Sequence, residues 1–213
     1  MNAAIPNTLT QIQTYFSSLG GAAADPNALY IYWAGSNDIF LATTPPAALQ
    51  GKIDGAIANI DTALRQLDAA GARNILVVNR TPRPDLTTVD NLNGVALNAA
   101  IAALVQTDDV LLSAQVRLFD AYASIVDMVL NPARYGFTQP TALCINNPLG
   151  DACWTNPSVA AQYVNWDAAH KTTRVHEILA DQIARQVPEP QTLVLILIAL
   201  APLAWWRRRV TNG

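Results

Sequence analysis

Leu29-Tyr30-Ile31-Tyr32-Trp33-Ala34-Gly35-Ser36-Asn37-Asp38 is the stretch that decides the fold of this chain. Its first five residues are all apolar or aromatic, so an extended segment here is apolar on both faces. A strand of that kind belongs in a parallel sheet covered on two sides. The run then breaks at a glycine followed by small polar residues, where a strand gives way to a turn.

The segments on either side repeat the same grammar. Thr8 to Leu19 reads as a short helix closed by Gly20-Gly21. Leu49 to Ala70 is a strong helix with Ile53, Ala56, Ile57, Ile60, Leu64 and Leu67 on one stripe. Lys52, Asp61, Arg65 and Asp68 lie off that stripe, and Gly71 supplies the stop. Asn74 to Val78 is a second apolar strand, followed by the breaker Thr81-Pro82-Arg83-Pro84. Val89 to Gln106 is a helix, Val116 to Asp120 a third strand, and Tyr122 to Asn131 a helix. Asn131 to Pro157 reads as a long loop, and Lys171 to Gln186 as a final helix with Val175, Ile178, Leu179 and Ile183 inward. Strand–helix alternation of this kind predicts an α/β domain over residues 1–186, built on a doubly wound parallel sheet.

Composition sets the outer bounds. A chain of 213 residues can build one such domain with a substantial core, or a domain plus an appendage. With a net charge of −3 and one basic cluster, Arg207-Arg208-Arg209, there is no footprint for a nucleic-acid partner. The two cysteines, Cys144 and Cys153, sit in a Pro/Asn/Gly-rich segment. A local disulfide in an oxidising compartment is the favoured reading, and a pair of reduced thiols is the alternative. Neither cysteine has a Cys-x-x-Cys neighbour, so no metal is expected.

The chemistry lies in two turns. In Trp166-Asp167-Ala168-Ala169-His170 a carboxylate stands three residues before an imidazole. Taken alone that pair is unspecific, because Asp167 can serve as a helix N-cap and His170 as a surface residue. Read with Gly35-Ser36-Asn37-Asp38 upstream, it carries more. The flanks Tyr163 to Trp166 and Thr172-Thr173 belong to the same pattern. So do Leu118-Phe119-Asp120, Asn131 to Phe137 and Ala69 to Asn74. Over roughly Thr8 to Gln186 the chain resembles the SGNH, or GDSL, family of ester hydrolases.

That resemblance implies a flavodoxin-like SGNH-hydrolase fold and Ser-His-Asp cleavage of a small-molecule or lipid ester, without a cofactor. His170 would be the general base and Asp167 its orienting acid. Asn37 would donate its side-chain amide to the oxyanion hole, held by the tight turn at Gly35. Lys171 stands where relatives commonly have proline, and is expected to loosen the loop. His176 reads as a surface or core residue. The family's nucleophile block and its second-block glycine are not found. Ser17-Ser18-Leu19-Gly20 lacks a preceding apolar strand, and Ser36 occupies a variable position of its block. Met1 to Asn7 also shows no signal peptide. The expectation is therefore an N-terminally truncated hydrolase domain whose Leu29 to Trp33 strand is left as an association-prone edge. The alternative is a non-catalytic exported envelope protein that keeps the fold for binding.

The tail is separate. Pro188-Glu189-Pro190 precedes an apolar run, Leu193 to Trp206, and then Arg207 to Arg209. As a helix that run is about 21 Å long, short of the roughly 30 Å of membrane hydrocarbon. Trp205, Trp206 and the arginines extend its effective span to the interface. The order resembles the PEP-CTERM signals of bacterial envelope proteins. It implies a sorting and anchor segment over residues 187–213, a C-terminal transmembrane helix, and an exosortase-type processing enzyme as partner. The implied location is the bacterial envelope or the exterior.

Overall fold

The three apolar runs become parallel strands in a computed structural model, which describes residues 6–39, 46–146 and 152–186. Strands β1 (Leu29–Tyr32), β2 (Asn74–Val78) and β3 (Gln115–Phe119) pair in the order β1-β2-β3. The register sets Tyr30 beside Ile75 and Ile75 beside Val116. Alternate residues of a strand share a face, so Tyr32, Ile75, Val77 and Val116 form one apolar surface.

Helices α1 (Thr8–Ser18), α2 (Pro46–Ala69) and α3 (Val89–Leu111) cover that surface. Ile12, Ile53, Ile60, Leu64, Leu67, Leu97, Ile101 and Val105 are their buried contributions. They recur at helical spacing, the stripe an amphipathic helix presents to a sheet. Caps fix two of the starts: the Asn7 side chain accepts from the Thr10 amide, and Thr88 from the Asn91 amide. Both crossovers between strands run the same way, and right-handed crossovers in one direction put their helices on one face. Accordingly α2 and α3 pack on each other. The reversal of strand order expected for a doubly wound sheet is not found among the described strands.

The opposite face is unevenly covered. Leu76, Val78 and Phe119 are buried, whereas Ile31 of β1 is 51% exposed and Trp33 just beyond it 41%. Among the described strands β1 has a single partner, as expected of an edge. An apolar edge with free amides and carbonyls templates pairing with other chains. The 213-residue chain is therefore expected to self-associate with rising concentration in size-exclusion chromatography, and Ile31→Lys to shift it toward monomer. A wild-type monomer that persists across the concentration series would refute this.

Beyond β3 come α4 (Ala121–Leu130) and α5 (Pro132–Tyr135), then β4 (Gln139–Leu143), α6 (Ala152–Thr155), α7 (Pro157–Ala160) and β5 (Tyr163–Asn165). The expected loop over residues 131–157 is thus corrected in part, since β4 and β5 form a second, two-stranded parallel sheet. These elements are too short to show a period. Cys144 and Cys153 are disulfide-bonded, with Cα atoms 5.8 Å apart, and both are buried against Tyr163. The last helix, α8 (Thr173–Gln186), begins after Lys171 rather than at it.

The chain divides into two compact units, Met1–His176 and Glu177–Gly213. Every described strand lies in the first; of the second only residues 177–186, within α8, are described. The sorting segment read at Pro188, Glu189, Pro190, Arg207, Arg208 and Arg209, with its transmembrane helix, lies outside the described residues. Among the described residues the helix long and apolar enough to cross a membrane is α3, whose Leu97, Ile101 and Val105 sit in the sheet core.

Candidate active site

Strand β1 ends at Tyr32, and three residues later Gly35 adopts φ +100°. A side chain there would be strained, so the glycine is what lets the chain reverse. The turn Ser36–Ile39 follows, its Asp38 amide donating to the Gly35 carbonyl at 3.2 Å. Gly35 and Asn37 line a cavity of about 700 Å³ together with Tyr32, Trp33, Asn59 and His176. The Trp33 and His176 rings stand 5.9 Å apart. His176 is thus a cavity residue, which its sequence context did not signal. Among the described residues it has no hydrogen-bonded carboxylate.

His170 has one. Its Nδ1 lies 2.8 Å from Asp167 Oδ2 and 3.0 Å from Oδ1. Asp167 Oδ1 also accepts from the backbone amides of Ala169 and His170, each at 2.7 Å. The Trp166 and Asp167 amides in turn donate to the His170 carbonyl, at 2.9 and 3.4 Å. A single carboxylate therefore closes the turn and engages the imidazole. Partial burial pushes the Asp167 carboxyl up. The His170 ring and the two amides outweigh it and hold the group below its ordinary value. With Nδ1 committed to the carboxylate, Nε2 is the nitrogen left to take up a proton. The His170 side chain is 76% exposed, so that nitrogen is open to an incoming group.

The structure brings Asp167 to His170, and Gly35 to Asn37, but neither large cavity is lined by both Asn37 and His170. What relates the two turns is the sheet. Gly35 to Asn37 follow β1. Arg83 follows the neighbouring β2, and its Nη1 donates to the Ala168 carbonyl at 3.1 Å. The Gly35–Asn37 turn thus follows the carboxyl end of β1, and the Asp167–His170 turn, which itself follows β5, is tied through Arg83 to the segment beyond the carboxyl end of β2; the carboxyl ends are the edge where parallel sheets bind ligands.

Lys171 overturns its expectation. It is only 9% exposed, it pairs with Asn165 in an antiparallel bridge, and its Nζ donates to the Pro82 carbonyl at 2.7 Å and to Asn165 Oδ1 at 2.5 Å. Rather than loosening the loop, it ties the Asp167–His170 turn to the segment after β2. Burial lowers its pKa to about 7; the charges of Arg83 and Arg80 add to that, and Asp167 opposes it. The two arginines are held by Asp90, Arg83 through Nε at 2.8 Å and Arg80 through a close ion pair and the Asp90 carbonyl. Gly94 of α3 makes room for the Arg80 guanidinium, which a Cβ there would overlap. Charged residues in a loop read as solvated, so this buried network had no signature in the sequence. Among the described residues no group of three or more His, Cys, Asp or Glu side chains is placed to hold a metal.

Comparison with known proteins bears on this arrangement. The chain is 24% identical to GDSL esterase/lipase At5g63170 of Arabidopsis thaliana, over 87% of this chain and 62% of that protein. It is 30% identical to GDSL esterase/lipase APG of the same plant, over 61% of this chain and 43% of that protein. Against GDSL esterase/lipase At1g23500, also of that plant, identity is 26%, over 84% and 59% respectively. The chain spans about half the length of these curated relatives. A family match that runs over residues 1–183, and so takes in both turns, makes this chain a member of the GDSL-like lipase/acylhydrolase family.

Proposed function

We propose that the intact protein hydrolyses carboxylic esters by Ser-His-Asp chemistry, with His170 as general base, Asp167 as its orienting acid and Asn37 as an oxyanion donor. The observation that carries this reading is the Asp167 carboxylate on His170 Nδ1 with the rest of the ring exposed. In the reaction, Nε2 accepts the proton of a serine hydroxyl as its oxygen attacks the ester carbonyl. The imidazolium formed is stabilised by Asp167 and then protonates the leaving alkoxide. Charge gathers on the carbonyl oxygen, and a donor such as the Asn37 amide contributes about 2.7–4 kcal/mol there.

The serine is supplied, in this proposal, by sequence outside these 213 residues. Ser17 and Ser18 donate their hydroxyls to the Gln13 and Tyr15 carbonyls within α1, which leaves neither activated by a base. A fluorophosphonate probe tests the arrangement. The 213-residue chain should remain unlabelled, the chain extended upstream in frame should label, and His170→Ala should abolish that labelling. Labelling of the unextended chain, or labelling that survives loss of His170, would overturn it.

A binding-only role has one observation in its favour, that the cavity lined by Asn37 is not lined by His170. It predicts that the extended protein never reacts with the probe. For the tail, the proposal is export with transient anchoring in the inner membrane through residues 187–213, and exosortase-type processing near Pro188 to Pro190.

A further inference from the structure

Two asparagines of α3, Asn91 and Asn98, stand seven residues apart. That is close to two turns of helix, so both face the same way. Asn98 lies well inside the helix, where asparagine is a poor former because its amide competes for backbone hydrogen bonds. Here the amides are spent on another segment. Asn98 Oδ1 accepts from the Arg80 amide and its Nδ2 donates to the Arg80 carbonyl, each at 2.9 Å. Asn91 is fully buried; its Oδ1 accepts from the Arg83 amide at 2.7 Å and its Nδ2 donates to the Asp85 carbonyl at 2.5 Å. The segment over residues 80–85 is thus fastened to α3 through its backbone.

From that fixed backbone the Arg83 side chain reaches two ways. Its Nε donates to Asp90 Oδ2 at 2.8 Å, and its Nη1 to the Ala168 carbonyl at 3.1 Å. The side chain is 16% exposed, so its guanidinium is held between partners. The hydrogen bonds inside the Asp167–His170 turn fix its shape, but not its direction relative to the sheet. The Asn165–Lys171 bridge and the bond from Lys171 to Pro82 hold its stem. The tip can still swing about that stem, and Arg83 fastens it at Ala168, between the acid and the imidazole. We propose that Arg83 is a positioning residue for the general base. Asp90 pins one prong of its guanidinium, and the other sets the direction in which the His170 ring points. This rests on the hydrolase reading for its effect on turnover, though not for its effect on the ring. Arginine is required because separate nitrogens of one rigid plane meet the two acceptors, whereas lysine brings a single nitrogen on a flexible stem.

Nitrogen NMR of the 213-residue chain with isotope-labelled histidine reads the ring directly, with the imidazole neutral. In wild type the proton should sit on Nδ1, facing Asp167, the form that leaves Nε2 able to accept. Arg83→Lys and Arg83→Ala release the tip, so the ring spends time away from the carboxylate. The Nδ1-protonated form should then fall from the majority species to a minority one. His176, which lines the cavity of Asn37, should keep its wild-type signals in both variants. A residue that merely stabilised the fold would disturb both histidines together, or neither, while lowering the melting temperature. In the protein extended upstream, both variants should lower kcat by about 10²-fold, the cost of a reacting group displaced by roughly 1 Å, with KM little changed. A wild-type His170 ring in either variant, or changes at His170 matched by changes at His176, would overturn the assignment. Should the extended protein never react with the fluorophosphonate probe, the hydrolase reading fails while the change at the His170 ring still stands, so the two failures separate.

Discussion

Asp167→Asn, in the protein extended to include its nucleophile, is expected to lower kcat by about 10⁴-fold with little change in KM. The expectation rests on which atoms the substitution keeps. Asparagine retains an oxygen that can accept from the Ala169 and His170 amides, so the turn that Asp167 closes survives. The atom facing His170 Nδ1 then becomes an amide nitrogen, a donor where an acceptor stood. The ring answers by placing its proton on Nε2, and an imidazole protonated there cannot take the serine proton. The imidazolium also loses the negative charge that stabilised it. An unchanged melting temperature beside a collapsed kcat is the signature of this mechanism. Asp167→Ala, by contrast, removes the amide acceptor as well and should lower both. A loss under tenfold in the asparagine variant would mean that His170 is not the base, and attention would pass to His176, which shares the cavity of Asn37.

How much of this could be seen in advance follows from length scale. β2 falls where its residues predict it, Asn74–Val78, because a buried strand states itself in consecutive apolar residues. The α2 stripe, Ile53 to Leu67, predicts its buried face for the same reason. The short parallel pair β4 and β5 did not declare itself: three residues such as Tyr163–Asn165 carry no measurable period, and their pairing is set by contacts distant in sequence. The site divides the same way. Asp167 and His170 meet because only two residues separate them within one turn. The partners of Lys171 at Pro82 and of Arg83 at Ala168 are long-range hydrogen bonds, invisible without the fold. A proline-to-lysine departure signals that something differs, but not that the lysine turns inward.

Lys171 gives the second large effect, and its sign can be worked out. Burial among Arg83 and Arg80 lowers its pKa from the ordinary 10.5 to about 7. Between those values the unfolded chain holds a proton on this amine that the folded chain has released. Stability therefore rises with pH across that window, is flat below it where both states are protonated, and flat above it where neither is. At ~1.36 kcal/mol per pH unit the full interval amounts to on the order of 5 kcal/mol. The hydrogen bonds agree with a neutral amine, which has two N–H groups for the two acceptors present, the Pro82 carbonyl and Asn165 Oδ1.

Lys171→Met should abolish the rise. Near pH 10 the variant is expected to be less stable than wild type, because two acceptors lose their donor at about 1–3 kcal/mol for each left buried. Near pH 6, where wild type carries a buried ammonium beside two guanidinium groups, the gap should close or reverse. Urea melts of both proteins from pH 6 to 10 measure this directly, and their difference cancels every other titrating group. Parallel curves would show that the amine keeps its proton in the fold. Curves that converge as the pH falls from 10 toward 7 would show that the folded chain has released this proton while the unfolded chain keeps it.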